Sequence, residues 1–152
     1  MKKMRYAILA AMLAASVWFF YEKYTTEGYF SFRSDRVQKA VVYEGYRALV
    51  EGYEISQEDI DKISAELLSS NKRRINEENL SYPNDAAVID MLIAEDEDNK
   101  AQKELLMVRN NANSVFVVVT LYDAEGESRE QGYVVTSLWL AQYLDNLKLA
   151  TK

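Results

Sequence analysis

Apolar positions run without a charge from Tyr6 to Tyr21, with Lys2, Lys3 and Arg5 before them and Glu22 and Lys23 after. Such a run predicts a helix of about 24 Å at the standard rise, set against a bilayer hydrocarbon core of roughly 30 Å. Arg5 and Lys23 can snorkel and extend that reach. Tyr6 marks one end and Trp18, Phe19, Phe20 and Tyr21 mark the other, where aromatic rings favour the membrane–water interface. The leading cations set the orientation: N-terminus in the cytoplasm, remainder carried across. Residues 1–23 therefore predict a retained single-pass anchor in the inner (cytoplasmic) membrane, with a periplasmic C-terminal domain. The alternative is a secretory signal cleaved near Ser16, after the small residues Ala14 and Ala15, leaving a secreted or periplasmic product. Four bulky rings directly after those small residues favour retention.

Past the leader, residues 24–34 read as a juxtamembrane segment. Within it Tyr29 to Arg33 alternates like a short strand, with Phe30 and Phe32 on one face. From Asp35 to Glu51, Val42, Tyr46, Leu49 and Tyr53 recur at helical spacing, and Gly52 supplies a stop. Ser56-Gln57-Glu58-Asp59 resembles a capping box and opens a second helix with Ile60, Ile63, Leu67, Leu68 and Ile75 on its face and Lys72-Arg73-Arg74 on its far half. Pro83 breaks the chain before a third helical region from Asp85 to Arg109, interrupted by the polar run Glu95 to Asn99. Asn110 to Asn113 reads as a linker. Val115 to Tyr122 is β-branched and aromatic throughout, the strongest strand signal in the chain. Asp123-Ala124-Glu125-Gly126 then predicts a turn, Gln131 to Thr136 a returning strand, and Thr136 or Ser137 the cap of a helix to Leu149.

The predicted class is α+β: a transmembrane helix, then one extracytoplasmic domain over 35–152. That domain is helix-rich, with a C-terminal β-hairpin and a final helix. An isolated hairpin is marginal in water, and Val115 to Val119 is apolar on both faces. A third strand at 29–33, or a partner chain, is expected to complete the sheet.

Composition narrows the chemistry. The chain has no cysteine and no histidine. Thiol nucleophiles, disulfides, imidazole-ligated zinc and Ser-His-Asp sets are therefore excluded, while carboxylate and lysine mechanisms survive. The net charge is −6, and subtracting the three leader cations leaves −9 for the exported part. Nucleic acid is excluded as a partner because no basic footprint exists. No cofactor or metal is implied. A carboxylate-rich midsection (Glu77, Glu78, Asp85, Asp90 and Glu95 to Asp98) lacks the glycine and alternating ligands of a calcium loop, and reads as a solvated face.

Asp90 stands among Val88, Ile89, Met91 and Leu92. Helical spacing places it on the polar side with Ala86 and Ala94, and burial is the alternative. Lys72-Arg73-Arg74 reads as a helical cluster paired with Glu77 or Glu78. Ser69 and Lys72 match a serine-x-x-lysine pattern that stands alone, without the further motifs its chemistry requires.

These features favour binding over catalysis. The expected function is a membrane-anchored interaction protein, an accessory or assembly subunit of a bacterial envelope complex of the secretion, pilus or transport type. Its partners would be the bilayer and other envelope proteins, contacted through Phe30, Phe32, Tyr43, Tyr46, Tyr53 and the hairpin edge. The alternatives are a secreted domain for a small ligand or glycan, and a carboxylate-dependent glycan-cleaving enzyme, which needs two facing acids in one cleft.

Overall fold

The computed structural model describes residues 2–44, 53–76, 86–95 and 101–150. The chain divides into two units, Met1–Ser31 and Phe32–Lys152.

The first unit is helix α1 (Lys2–Phe30), 29 residues long. It is long and apolar enough to cross a membrane. The sequence between Tyr21 and Gly28 offers no helix breaker, so the helix continues through the expected juxtamembrane segment. At 1.5 Å per residue it reaches about 44 Å, so the charged residues Glu22, Lys23 and Glu27 extend the helix beyond the apolar run. Two of its hydroxyls are satisfied within the helix: Ser16 Oγ donates to the Met12 carbonyl at 2.9 Å and Thr25 Oγ1 to that of Tyr21 at 2.7 Å. Polar atoms closed off in this way tolerate apolar surroundings. The strand expected at 29–33 does not form. Tyr29 and Phe30 end α1, and residues 31–33 carry no regular structure.

The second unit is mostly sheet rather than helix-rich. Seven antiparallel strands lie in the order β2-β1-β4-β5-β6-β7-β3. They are β1 (Val37–Glu44), β2 (Tyr53–Glu54), β3 (Asn71–Ile75), β4 (Ala87–Ala94), β5 (Gln102–Asn111), β6 (Ser114–Tyr122) and β7 (Ser128–Thr136). Helix α2 (Gln57–Ser69) connects the β1–β2 edge to the β3 edge, and α3 (Leu138–Ala150) follows β7. Two of the expected helices are thus strands. Residues 37–44 form β1, and the region 85–109 supplies β4 and β5. β4 and β5 pair on either side of the polar interruption, Glu95 N donating to the Ala101 carbonyl at 2.9 Å; Asp96 to Asn99 lie outside the described residues. The expected linker at 110–113 is the end of β5 and its tight turn into β6.

The expectations for the start of α2, the β6–β7 hairpin and α3 hold; α2 ends at Ser69, so Ile75, expected on its face, closes β3 instead, and Leu68 is exposed. Ser56 caps α2, its hydroxyl accepting from Asp59 N at 3.3 Å, and Ile60, Ile63 and Leu67 are buried. Gly126 turns the β6–β7 hairpin with φ +84°, a left-handed conformation that glycine adopts without a Cβ penalty. Asp123 Oδ1 accepts from both Glu125 N and Glu127 N, which holds that turn. Ser137 Oγ caps α3 by accepting from Leu140 N at 3.1 Å, and it donates to Glu66 Oε2 of α2 at 2.7 Å.

Directly paired residues of an antiparallel sheet share a face. One face carries Ala40 and Val42, Ile89, Met91 and Ile93, Leu105 and Met107, Val115, Val117 and Val119, and Tyr133 and Val135. All are buried, most of them completely. Both helices belong to this side: α3 contacts β4, β5 and β6, and Asp145 of α3 pairs with Arg109 of β5. Tyr143 of α3 donates to Asp59 of α2 at 3.1 Å, fixing the helices to each other. Each fully buried aliphatic side chain here contributes about 1.5–3 kcal/mol. The same face also buries Lys103, 2% exposed, with its ammonium 2.7 Å from Glu95 Oε1 at the β4–β5 connection.

Candidate functional site

The opposite face of the sheet carries the features that the fold itself does not require. Its register builds rows across the strands. Arg73, Val134, Phe116, Val108, Val88 and Tyr43 form one row; Ile75, Gly132, Val118, Leu106, Asp90 and Val41 form the next. A third carries Glu130, Thr120, Glu104, Leu92 and Lys39. Ala86, Val88 and Val108 form a small buried cluster, with Leu106 and Phe116 packed against it. Val41, Tyr43, Leu92, Leu106, Phe116 and Val118 are half-buried, in contrast to the sealed positions beneath the helices. The result is an apolar face, buried at Val88, Val108 and Val134 and half-buried around them.

Asp90 sits in the middle of it. Its side chain is 6% exposed, so the solvated helical position expected from spacing is overturned. β4 is apolar on both faces, and helical periodicity has no meaning along it. Asp90 Oδ2 accepts from Lys39 Nζ at 3.1 Å, the diagonal neighbour on β1. Asp90 Oδ1 is buried with no hydrogen-bond partner among the described residues. Leaving a buried polar atom unpaired costs about 1–3 kcal/mol, more where the group is charged. Such an atom on a half-buried face points to a donor brought from outside.

Lys39 is the mobile half of the pair, with 44% of its side chain exposed. Its ammonium lies 5.4 Å from the centroid of the Tyr43 ring. The Lys39 pKa stands above the ordinary lysine value. Hydrogen bonding to Tyr43 is the largest cause; partial burial opposes it, and the Asp90 carboxylate adds to it. On the third row Glu104 Oε2 accepts from Tyr122 Oη at 3.1 Å, a second carboxylate and tyrosine flanking the apolar centre.

The residues singled out from sequence are distributed differently from the expected cluster. Tyr6, Trp18, Phe19, Phe20 and Tyr21 lie exposed along α1, as a lipid-facing helix requires. Phe30 is the buried residue of α1, and Phe32 lies half-buried beyond the helix end, so no strand presents the two together. Tyr43 is on the sheet face just described. Tyr53 stands on β2 opposite Val42 in the register, on a neighbouring strand rather than on a shared helix. Tyr46 lies outside the described residues. Of the basic triplet, Lys72 donates to the Leu68 and Ser70 carbonyls and Arg74 to Gln131. The triplet is in a strand, not a helix, and Glu77 and Glu78 lie outside the described residues. Spacing along the chain missed Lys39 and Glu104. One signal was present for Asp90, an acid inside an eight-residue apolar run.

Comparison with protein-family models, with characterised proteins and with solved structures finds no match.

Proposed function

We propose that this chain is a membrane-tethered interaction module, and that the sheet face around Asp90 docks another envelope protein. The observation that carries the reading is the orphaned Asp90 oxygen in the middle of a half-buried apolar surface. A partner segment that buries those apolar side chains and offers one cation or N–H donor to Asp90 would satisfy both. The acidic balance of the exported part favours a basic partner and discourages self-association through like charge. The helix α1 supports a tether that holds the domain at the membrane and raises its effective concentration there. The leader cations support a cytoplasmic N-terminus and a periplasmic domain.

The test is affinity capture of the full-length chain from native membranes solubilised in mild detergent. The expected result is a stoichiometric membrane-protein associate with wild type that is lost when Phe116→Glu places a charge on the docking face. Recovery of the chain alone, or an associate retained equally by the variant, would overturn the reading.

A further inference from the structure

We infer that a second site, at the β3 end of the same sheet face, binds a small hydroxylated anion of the acidic-sugar class. It is an open groove of about 340 Å³ at one end of the sheet, a volume at the lower end of the range for small-molecule pockets. Its floor is the row Asn71, Thr136, Ser114 and Asn111, which pair in sequence across β3, β7, β6 and β5. Arg73 and Asn113 complete the rim. No carboxylate is among the lining residues that are described, in a domain that is otherwise strongly acidic.

The donors are set in advance. Asn110 Nδ2 donates to Ser114 Oγ at 2.9 Å, and Ser114 Oγ donates to Asn111 Oδ1 at 2.8 Å. Asn111 Oδ1 also accepts from Asn113 N at 3.0 Å. Two donors on that oxygen fix the orientation of the amide and leave Asn111 Nδ2 unengaged. Ser114, the hub of this chain, is 3% exposed. Arg73 differs from its neighbours: Lys72 and Arg74 are engaged, whereas the exposed Arg73 guanidinium has no partner among the described residues.

A guanidinium pairs bidentately with a carboxylate or phosphate, and the asparagine amides and the Thr136 hydroxyl suit neighbouring hydroxyl groups. No aromatic ring lines the groove, so a neutral sugar finds no stacking platform and recognition falls to the charge. The groove runs across the strands rather than along β3. A peptide adding to the β3 edge would lie at right angles to it, and the charges on β3 guard that edge against pairing. A compact ligand therefore fits where an extended chain does not.

The experiment uses the full-length protein in lipid nanodiscs, with glucuronate, glucose 6-phosphate and glucose as probes, read by saturation-transfer NMR and calorimetry. At least one of the two anions is expected to bind ten-fold or more tightly than glucose; which one wins reports whether the anion is carboxylate or phosphate. Arg73→Gln is expected to weaken the preferred anion at least ten-fold at an unchanged melting temperature, and Asn113→Asp to weaken it likewise by adding a carboxylate. Equal binding of glucose, no transfer to any probe, or wild-type affinity in Arg73→Gln would overturn the proposal. Arg73 ends the first row of the docking face, so Arg73→Gln is also carried through the capture assay: loss of anion binding with the membrane-protein associate retained is expected, and it tests the groove apart from docking.

Discussion

Lys39 Nζ meets Asp90 Oδ2 at 3.1 Å across two strands whose residues lie 51 positions apart in the chain. The partners are unequal: Asp90 is nearly sealed, and Lys39 keeps 44% of its side chain in water. A pair this asymmetric contributes little to folding, because the exposed member is already solvated. Its second carboxylate oxygen remains unanswered, and the docking proposal follows from that geometry.

Asp90→Asn separates folding from binding. The near-isosteric amide removes the charge, while Lys39 returns to solvent, so folding stability should change by no more than about 1 kcal/mol. Loss of a buried charge from an interface costs about 2–5 kcal/mol, so partner affinity should fall at least ten-fold. Urea unfolding and quantitative capture measure the two effects on the same variant.

Lys39 also fixes a pH dependence. Its folded-state pKa is raised, so its contribution to stability is fully present below the ordinary lysine value of 10.5 and is lost as pH rises through the raised value. Thermal melts across the alkaline range should show this loss in wild type. Lys39→Met should remove that component of the slope and leave the neutral range unchanged.

Ser137 joins two helices through one hydroxyl, capping α3 and donating to Glu66 of α2. Ser137→Ala should cost about 1–2 kcal/mol, the usual loss for an N-cap. Ser137→Asp should keep the cap but place a carboxylate against Glu66, and so recover only part of that loss. Chemical denaturation orders the three proteins.

Lys103 is the most deeply buried cation, and Glu95 holds it at the β4–β5 connection. Glu95→Ala should destabilise by about 1–3 kcal/mol, toward the lower end because Glu95 is more than a third exposed. Lys103→Met, combined with Glu95→Ala, should recover most of the loss, since apolar replacement of a buried pair is often neutral or stabilising. A double-mutant cycle by denaturant unfolding gives the coupling.

The parts of the fold that were legible in sequence each had a local signal. The leader is one uninterrupted apolar run, α2 has its Ser56 cap, the β6–β7 hairpin has its glycine turn, and α3 has Ser137. β4 is hidden for a physical reason. Ala87 to Ala94 is buried at seven of eight positions, so it lacks the alternation that marks a half-buried strand. Continuous apolar runs of this length do not distinguish helix from strand by period. Once β4 was read as a helix, Asp90 fell on an imagined polar side, and Tyr43 was grouped with Tyr46 and Tyr53 along a helix. Tyr43 nonetheless lies on the docking face. Lys39 and the Asn71–Asn111 groove depend on cross-strand register between distant segments, which no local pattern encodes.

The chain has no cysteine, so a single introduced thiol reports which face of the sheet meets the partner. Single Val118→Cys and Gln142→Cys variants of the full-length chain, one on the docking face and one on exposed α3, can each carry a thiol-linked photo-crosslinker in native membranes. A discrete adduct from Val118→Cys that disappears when Asp90→Asn is added, with none from Gln142→Cys, is the expected result. Adducts of equal yield from both positions, or an adduct from Gln142→Cys alone, would contradict it.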